Sequence, residues 1–282
     1  MNAIPHLVVR APCDCAESLY PVLYRWGYAG LIECDAAHGL LWQVFLAPDA
    51  DAAALRDCLA ECIAVDPKRI NGEVATLPVE DWAARWKEHF QPLTIAPGLV
   101  VVAEGVPYVA RTGERIIAIT AGMAFGTGQH ATTQLMARAI AADAPQRRWQ
   151  RMLDVGTGTG ILAFVAAVCG VPCVNAVDTD PEAVRVARGG AAANGLAERV
   201  AFYDTIEATP GPYDAIVANI LLEPLCELAP AFRDRLVPGG DCYLSGVLAE
   251  QLPILQRRFE TVGFRTVKTT AQEEWAALQV RR

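Results

Sequence analysis

The sequence predicts an α/β protein whose larger part is a doubly wound, mostly parallel sheet, and three observations carry this prediction. Strand-like apolar runs alternate with helix-like segments over the C-terminal two-thirds of the chain. The first of these strands, residues 152–155, runs into a glycine-rich turn and then an apolar helix. The next strand, residues 173–177, ends in an acidic residue, Asp178, as strands of nucleotide-binding folds do.

The glycine-rich turn reads Asp154-Val-Gly-Thr-Gly-Thr-Gly160. Gly156, Gly158 and Gly160 allow the backbone to turn sharply and a ligand to come close to it. The helix that begins at the turn directs unpaired N–H groups and a partial positive charge at the bound group. Asp178 can accept hydrogen bonds from ribose hydroxyls. We therefore expect a cofactor that contains a nucleoside.

The spacing of the glycines argues against two common nucleotide ligands. The dinucleotide pattern is G-x-G-x-x-G, whereas here the third glycine comes one residue early and Asp154 precedes the first. A phosphate-binding P-loop has a lysine after its glycines, and none follows them here.

The rest of this part continues the alternation of strands and helices. Asn219 comes directly after a buried strand, and ligands of such sheets bind beyond the carboxyl ends of the strands, so we expect Asp154, Asp178 and Asn219 to converge. The predicted strands are 99–102, 115–119, 200–203, 213–218, 239–246, 264–269 and 275–280, and the predicted helices are 182–194, 221–236 and 251–262.

A second, smaller domain is predicted at residues 1–78. Its segments follow the order βαββαβ, which is that of a ferredoxin-like α+β domain. Five basic and ten acidic side chains give this domain a net charge of −5. That charge repels RNA and suits a basic protein partner, although a merely soluble acidic surface explains it equally well. We assign residues 79–98 to a linker helix, because Trp82, Trp86 and Phe90 share one face, and residues 99–282 to the cofactor-binding domain.

Another glycine-rich segment, residues 122–135, comes before the Asp154–Gly160 turn in the sequence. It contains Phe125, Gly126, Gly128 and His130 in close succession. The pair Thr132-Thr133 is expected to cap a helix that continues to residue 142. So compact a group of glycine, aromatic and histidine residues indicates a loop that wraps a ligand.

Composition excludes several function classes. The net charge of −8 argues against direct binding of nucleic acid. The longest apolar run, 161–174, is too short to span a bilayer, and residues 1–5 show no signal peptide, so we expect a cytoplasmic protein. The nine cysteines lack paired CxxC spacing, so we expect reduced thiols and no metal. Cys58 and Cys62, one helical turn apart, are expected in a core. We expect a monomer.

These motifs together resemble the PrmA-type methyltransferases of large-subunit ribosomal protein eleven, which are class I S-adenosylmethionine-dependent enzymes. The resemblance covers nearly the whole chain. It rests on the small N-terminal domain and on five motifs, which read Glu80-Asp-Trp…Trp86-Lys-Glu-His-Phe, Ala124-Phe-Gly-Thr-Gly-Gln-His-Ala-Thr-Thr133, Leu153-Asp-Val-Gly-Thr-Gly-Thr-Gly-Ile-Leu162, Asp178-Thr-Asp-Pro181 and Val217-Ala-Asn-Ile-Leu221.

The resemblance implies a seven-stranded, Rossmann-like domain that methylates amino groups, chiefly of lysine, on the ribosomal protein, and an N-terminal domain that recognises this substrate. It also implies which residues serve the cofactor and the acceptor. The candidate cofactor-binding residues are Phe125, Gly126, His130, Thr133, Asp154, Gly156, Gly158, Asp178 and Asn219, and Asn219 is the candidate catalytic residue, which orients the acceptor amine.

The chain departs from the family pattern at a few positions, so other functions are weighed against the one that the resemblance implies. Gln129 stands where the family has threonine, and Thr120-Ala121 replaces its aspartate and proline. Relatives of this fold methylate other proteins, such as the beta subunit of electron-transfer flavoprotein. Methylases of nucleic-acid bases often carry Asn-Pro-Pro-Tyr where this chain has Asn219-Ile-Leu-Leu, so that function is disfavoured. A binding protein with a degenerate site is disfavoured because the glycines, Asp178 and Asn219 are all present.

Overall fold

The computed structural model describes residues 3–26, 28–36, 39–46, 52–78, 90–120 and 128–282. The chain divides into two compact units, Met1–Trp86 and Lys87–Arg282.

The first unit has the predicted βαββαβ order. Its elements are β1 (Ala3–Ala11), α1 (Ala16–Arg25), β2 (Tyr28–Ala36), β3 (Gly39–Leu46), α2 (Ala52–Val65) and β4 (Asn71–Pro78). The strands form an antiparallel sheet in the order β2-β3-β1-β4. Alternate residues of β1 and β3, such as Leu7 and Trp42, are buried together with apolar side chains of both helices. Cys58 and Cys62 lie in this core, as predicted.

The second unit begins with a small sheet. Strands β5 (Leu93–Ala96), β6 (Leu99–Ala103) and β7 (Arg115–Ile119) are neighbours in that order. The predicted strands at 99–102 and 115–119 are confirmed. The prediction of a linker helix over 79–98 is wrong for residues 93–96, which form strand β5. Pro97 and Gly98 join β5 to the antiparallel β6, and Gly98 has a φ of 74°. A tight turn with proline and then glycine favours a hairpin over a helix. The part of the linker at 79–89 lies outside the described residues.

A seven-stranded sheet forms the centre of the second unit. Its strands are β8 (Arg151–Val155), β9 (Cys173–Val177), β10 (Val200–Tyr203), β11 (Tyr213–Asn219), β12 (Leu236–Leu248), β13 (Arg265–Gln272) and β14 (Trp275–Arg281). The order is β10-β9-β8-β11-β12-β14-β13. The first five strands in that order are parallel, and β14 pairs with both neighbours in the antiparallel sense. The doubly wound fold is therefore confirmed.

Helices connect these strands and cover the sheet. They are α3 (Ala131–Arg147), α4 (Ile161–Val168), α5 (Pro181–Ala193), α6 (Leu222–Arg235) and α7 (Leu252–Thr261). Residues 161–167 of α4 are all buried, because this helix packs on β8, β9 and α3. The strand order changes direction between β8 and β11, so a crevice opens at the carboxyl ends of these two strands.

Three further observations bear on the class of protein. No helix among the described residues is long and apolar enough to cross a membrane. Within those same residues, no group of three or more histidine, cysteine, aspartate or glutamate side chains is arranged to hold a metal ion. The cysteines described in the structure are free thiols.

Candidate active site

The glycine turn between β8 and α4 is fastened to the end of β9. The backbone N–H groups of Gly156 and Thr157 both donate to the carbonyl oxygen of Val177, at 2.9 and 3.1 Å. The N–H of Gly158 donates to Oδ2 of Asp178 at 2.9 Å. These hydrogen bonds hold the two loops that line the crevice in one fixed arrangement.

Asp178 remains able to bind a ligand in spite of these bonds. Its Oδ1 accepts the backbone N–H of Asp180 at 3.1 Å, and its Oδ2 accepts that of Gly158. A carboxylate has about four lone-pair positions on its two oxygens. Asp178 can therefore accept further hydrogen bonds from a pair of hydroxyl groups while it holds the turn.

Asp154 lies beneath the turn. Its side chain is completely buried, and Oδ2 accepts the Thr157 hydroxyl at 2.7 Å, while Oδ1 has no hydrogen-bond partner. Burial raises the pKa of Asp154 to about 7, even though the Thr157 hydroxyl acts to lower it. The shape of the glycine turn thus depends on a carboxyl group that titrates near neutrality.

Asn219 ends β11 on the other side of the crevice. Its Nδ2 donates to Oγ1 of Thr133, in the first turn of α3, at 3.4 Å. Its Oδ1 is buried and has no hydrogen-bond partner. Buried polar atoms are normally satisfied, so an unsatisfied acceptor beside a cavity indicates a ligand that donates to it.

The residue after Asn219 is held between two glycines. A Cβ atom on Gly156 would lie 2.3 Å from Cγ2 of Ile220, and one on Gly246 would lie 2.4 Å from the Ile220 carbonyl oxygen. Both glycines have left-handed backbone angles, with φ of 70° and 88°. The N–H of Ile220 also donates to the carbonyl oxygen of Ser245 at 3.2 Å. Only glycine fits at either position, and the close contacts fix the backbone that carries Asn219.

His130 begins α3 and corrects one prediction. The expected cap was the pair Thr132-Thr133, but the N-cap residue is His130, whose Nδ1 accepts the Thr132 N–H at 3.4 Å. Nδ1 also lies 2.7 Å from Oγ1 of Thr132. An imidazole nitrogen can act here in place of the usual hydroxyl or carboxylate oxygen. The ring meets Trp275 edge-on, with centroids 4.7 Å apart.

A cavity of about 850 Å³ lies between these groups. Three carboxylates, those of Asp178, Asp180 and Glu207, line it, and no lysine or arginine does so among the residues that the structure describes. The remainder of its lining consists of glycines, uncharged polar residues, a histidine and apolar side chains, namely His130, Thr132, Val155, Gly156, Gly158, Val177, Thr179, Ala183, Thr205, Ile206, Asn219, Ile220, Leu221, Pro224, Leu228, Gly246 and Trp275.

Comparison with known proteins identifies the family. The model of the family described as "Ribosomal protein L11 methyltransferase (PrmA)" matches residues 37–282. The chain belongs to this family.

Individual relatives agree with that assignment. The chain is 36% identical over 255 residues to a ribosomal protein L11 methyltransferase of Syntrophotalea carbinolica, which covers 87% of this chain and 83% of the relative. It is 40% identical over 214 residues to that of Citrifermentans bemidjiense, with 74% and 69% covered. The crystal structure of a ribosomal protein L11 methylase from Lactobacillus delbrueckii subsp. bulgaricus matches with a TM-score of 0.63 and 31% identity, over 68% of this chain and 99% of that one.

Family membership confirms the resemblance read from the motifs. The protein is a methyltransferase, and its methyl donor is S-adenosylmethionine. The residues present fit this cofactor. The cavity has the volume usual for a small-molecule site. Its carboxylates suit a sulfonium cation, whereas the phosphates of a dinucleotide would face three negative charges and no basic side chain among the described lining residues.

The structure brings most of the predicted site residues together. The same cavity is lined by His130, Gly156, Gly158, Asp178 and Asn219. Thr133 and Asp154 are 1% and 0% exposed and lie behind the lining, against Asn219 and the glycine turn. Phe125 and Gly126 lie outside the described residues. Contact of each of these residues with the cofactor stays a prediction.

Sequence reasoning missed several lining residues. Ile206 and Glu207 lie three and four residues after the end of β10, at the edge of the sheet where ligands of such folds bind. Trp275 gave no such signal, because it begins a strand. That strand is antiparallel to β12, so its beginning lies at the edge where the parallel strands end.

The buried carboxyl group of Asp154 predicts a pH dependence of stability. Its pKa is about 7 in the folded protein and 3.8 ordinarily, so the native state holds the proton that the unfolded chain loses. The free energy of unfolding should therefore fall as pH rises from about 4 to about 7, by up to roughly 4 kcal/mol from this group, and then level off.

Urea unfolding of the wild type and Asp154→Asn at several pH values between 5 and 8 checks this. Other groups also titrate, so the quantity of interest is the difference between the two proteins. We expect the variant to gain stability relative to the wild type as pH rises. A difference that does not change with pH would show that Asp154 is ionised throughout this range.

Proposed function

We propose that the enzyme binds S-adenosylmethionine in the cavity described above and methylates amino groups, chiefly of lysine, on ribosomal protein L11. The observation that carries the proposal is the convergence of the glycine turn, Asp178 and Asn219 on one acidic cavity in a chain of the L11 methyltransferase family. The cofactor supplies an electrophilic methyl group on a positively charged sulfur.

Each wall of the cavity has a role in this proposal. Gly156 and Gly158 face the methionine end of the cofactor, and Asp178 accepts hydrogen bonds from its ribose. His130 lines the site. The family resemblance also implies a role in cofactor binding for Phe125 and Gly126, which lie outside the described residues. Asp154 supports the glycine turn from below, through the Thr157 hydroxyl. The three carboxylates of the lining attract both the cationic cofactor and a lysine side chain.

The acceptor amine must be uncharged and correctly oriented. Asn219 Oδ1 is a buried acceptor without a partner, so it can receive an N–H of the amine and direct the nitrogen lone pair along the line of transfer. Two positive charges in one cavity repel each other, so a bound sulfonium favours the neutral form of the lysine. We assign no general base.

Selection of the protein substrate falls to the first unit. Residues 1–78 carry a net charge of −5, which suits a basic ribosomal protein. Because the substrate is a ribosomal protein, we expect the enzyme to work in the cytoplasm. We also expect the enzyme to act as a monomer.

Asp178→Ala should weaken the binding of S-adenosylmethionine. Loss of charge-assisted hydrogen bonds costs roughly 1.5–3 kcal/mol, which corresponds to about tenfold to a hundredfold in affinity. Calorimetric titration measures this, and thermal melting verifies that the variant is folded. Glu182→Ala is the matched control, because Glu182 is a nearby exposed carboxylate outside the cavity lining. Unchanged affinity in a folded Asp178→Ala protein would refute the ribose contact.

A labelling experiment tests the substrate class. We expect methyl-labelled S-adenosylmethionine, added with the enzyme to a ribosomal extract, to label one protein band, that of L11, and label on purified L11 to be found on amino groups. Labelled RNA would support the base-methylase alternative instead. A labelled protein other than L11 would support protein methylation but contradict L11 as the substrate.

Removal of residues 1–78, the predicted substrate-recognition domain, tests the division of labour. A truncated chain of residues 79–282 should bind the cofactor with the affinity of the full chain and fail to methylate L11. Cofactor titration and L11 labelling, run side by side on both chains, measure the two properties separately. Methylation of L11 by the truncated chain at the full rate would show that the second unit recognises the substrate itself.

A further inference from the structure

Arginine residues line the edge of the seven-stranded sheet that lies opposite the cavity. The cavity is at the carboxyl ends of the parallel strands, so this is the edge where those strands begin. An arginine begins β8 and β13, ends the antiparallel β14 and directly precedes β10 and β12. Others lie at the end of α3, at the beginning of β7 and at residue 282. We call this set the arginine edge, and its members are Arg115, Arg147, Arg148, Arg151, Arg199, Arg235, Arg265, Arg281 and Arg282.

Two arginines of this edge meet at the end of α4. Arg115 donates to the carbonyl oxygen of Val168, and Arg199 donates to that of Ala167 at 3.4 Å. The last carbonyl oxygens of a helix lack intrahelical partners and carry a partial negative charge, so arginine is favourable there. Both arginines are exposed, so their remaining N–H groups are accessible to a ligand.

A second group of arginines surrounds the loop that leads into β11. Arg151 and Arg235 donate to backbone carbonyl oxygens of residues 209–211. Arg282 donates to the carbonyl oxygen of Leu236, the residue after Arg235. These acceptors are uncharged, so they hold the guanidinium groups in place without cancelling their charge.

The third group surrounds Asp241, which is 1% exposed. Arg147 and Arg281 both pair with its carboxylate, Arg281 at 2.8 Å. Burial raises the pKa of Asp241, and the charges of Arg147 and Arg265 oppose that shift, so Arg265 lies nearby as well. One carboxylate is therefore shared among three arginines.

The arginine edge is basic although the whole chain is acidic. Within the part of the chain that the structure describes, Arg147 and Arg281 are the only members that form an ion pair, and both do so with Asp241. Five acidic residues neighbour the nine arginines in sequence or through a hydrogen bond, which leaves a net charge of +4; they are Glu114, Glu198, Asp214, Asp234 and Asp241. The chain as a whole carries −8, and three carboxylates line the cavity. Negative and positive charge are thus concentrated at opposite edges of one sheet.

The length and chemistry of the arginine edge fit the phosphate backbone of a nucleic acid. From β10 to β13 the edge crosses six strand-to-strand steps, which is about 29 Å at about 4.8 Å a step. A row of that length suits an extended polyanion better than a single phosphate. The guanidinium group also matches the geometry of a phosphate, to which it donates through paired N–H groups.

We propose that the arginine edge binds the phosphate backbone of RNA. This function is separate from methyl transfer, because the cavity lies at the opposite edge of the sheet. RNA is the polyanion that accompanies the proposed substrate, a ribosomal protein. The net charge of the chain argues against nucleic acid, but salt screens exposed charges beyond about 8 Å, so the local charge decides. Contacts with phosphates carry no sequence information, so we expect binding without base preference.

Fluorescence anisotropy of a labelled oligouridylate of about 20 nucleotides, titrated with the full chain, tests the proposal. We expect binding that weakens steeply with salt, because phosphate contacts release counterions. For four contacts, the logarithm of the binding constant should fall against the logarithm of the salt concentration with a slope of about −3. An oligocytidylate of the same length should bind with an affinity within about twofold.

Charge-reversal variants locate the binding surface. Arg199→Glu and Arg265→Glu change exposed residues at the two ends of the row, directly before β10 and in β13. Each should weaken RNA binding about tenfold at about 50 mM salt, because a phosphate contact is lost. Arg185→Glu is the matched control, since it makes the same charge change at an exposed residue of α5, the helix that begins beside the cavity. Its affinity for RNA should stay within about twofold of the wild type.

Methylation of free L11 by the same preparations separates this inference from the proposed function. We expect the wild type and the two edge variants to methylate L11 at the same rate. An enzyme that binds RNA but leaves L11 unmethylated would retain the inference and contradict the proposed function. No RNA binding at about 50 mM salt, or an equal loss of affinity in all three variants, would overturn the inference. Displacement of half of the RNA by poly-glutamate at an equal concentration of negative charge would also overturn it, and would assign the edge to an acidic protein.

Discussion

The site depends on the hydrogen bonds that join the glycine turn to the end of β9. One carbonyl oxygen, that of Val177, receives two N–H groups of the turn, and the next residue, Asp178, receives a third. Without them the turn and the acid would be two separate loops at the edge of a sheet. With them, the acid that we propose binds the ribose and the backbone that we propose faces the rest of the cofactor are held together, so the cavity is organised before a ligand arrives.

The charges of the cavity lining favour cationic ligands. Its described lining carries three carboxylates and no basic side chain, and a fourth carboxyl group, that of Asp154, lies buried beneath the turn. Burial raises the pKa of that group toward neutrality, so it need not add its full charge to the site. The same field attracts a sulfonium donor and the cationic lysine side chain that approaches it, and it opposes phosphate-bearing ligands. A common glycine-loop architecture is thereby directed to one kind of cofactor.

Sequence patterns predicted much of this molecule because the relevant rules are local. The alternation of strands and helices predicts the doubly wound sheet. The positions of an acid and an amide at strand ends predict the roles of Asp178 and Asn219. The hairpin of β5 and β6, residues 93–103, differs from the predicted linker helix although Pro97-Gly98 signals a turn, because the tryptophan stripe before it favours a helix that continues too far. The cap of α3 was misassigned because a histidine can fill that position. The pairing of Thr133 with Asn219 joins residues 86 positions apart, and only the folded chain shows it.

The wedge formed by Ile220 between Gly156 and Gly246 restricts how this enzyme can evolve. Three segments that are far apart in the chain meet there. A Cβ atom added to either glycine would lie less than 2.5 Å from an atom of Ile220. Replacing either glycine would therefore displace the backbone beside Asn219. At Gly156, a smaller side chain at position 220 could relieve the clash. At Gly246 the clash is with the backbone carbonyl oxygen of Ile220, which no side-chain substitution removes. Random mutagenesis of this chain should therefore reshape the surroundings of Asn219 through the other residues of the cavity lining and not through Gly246.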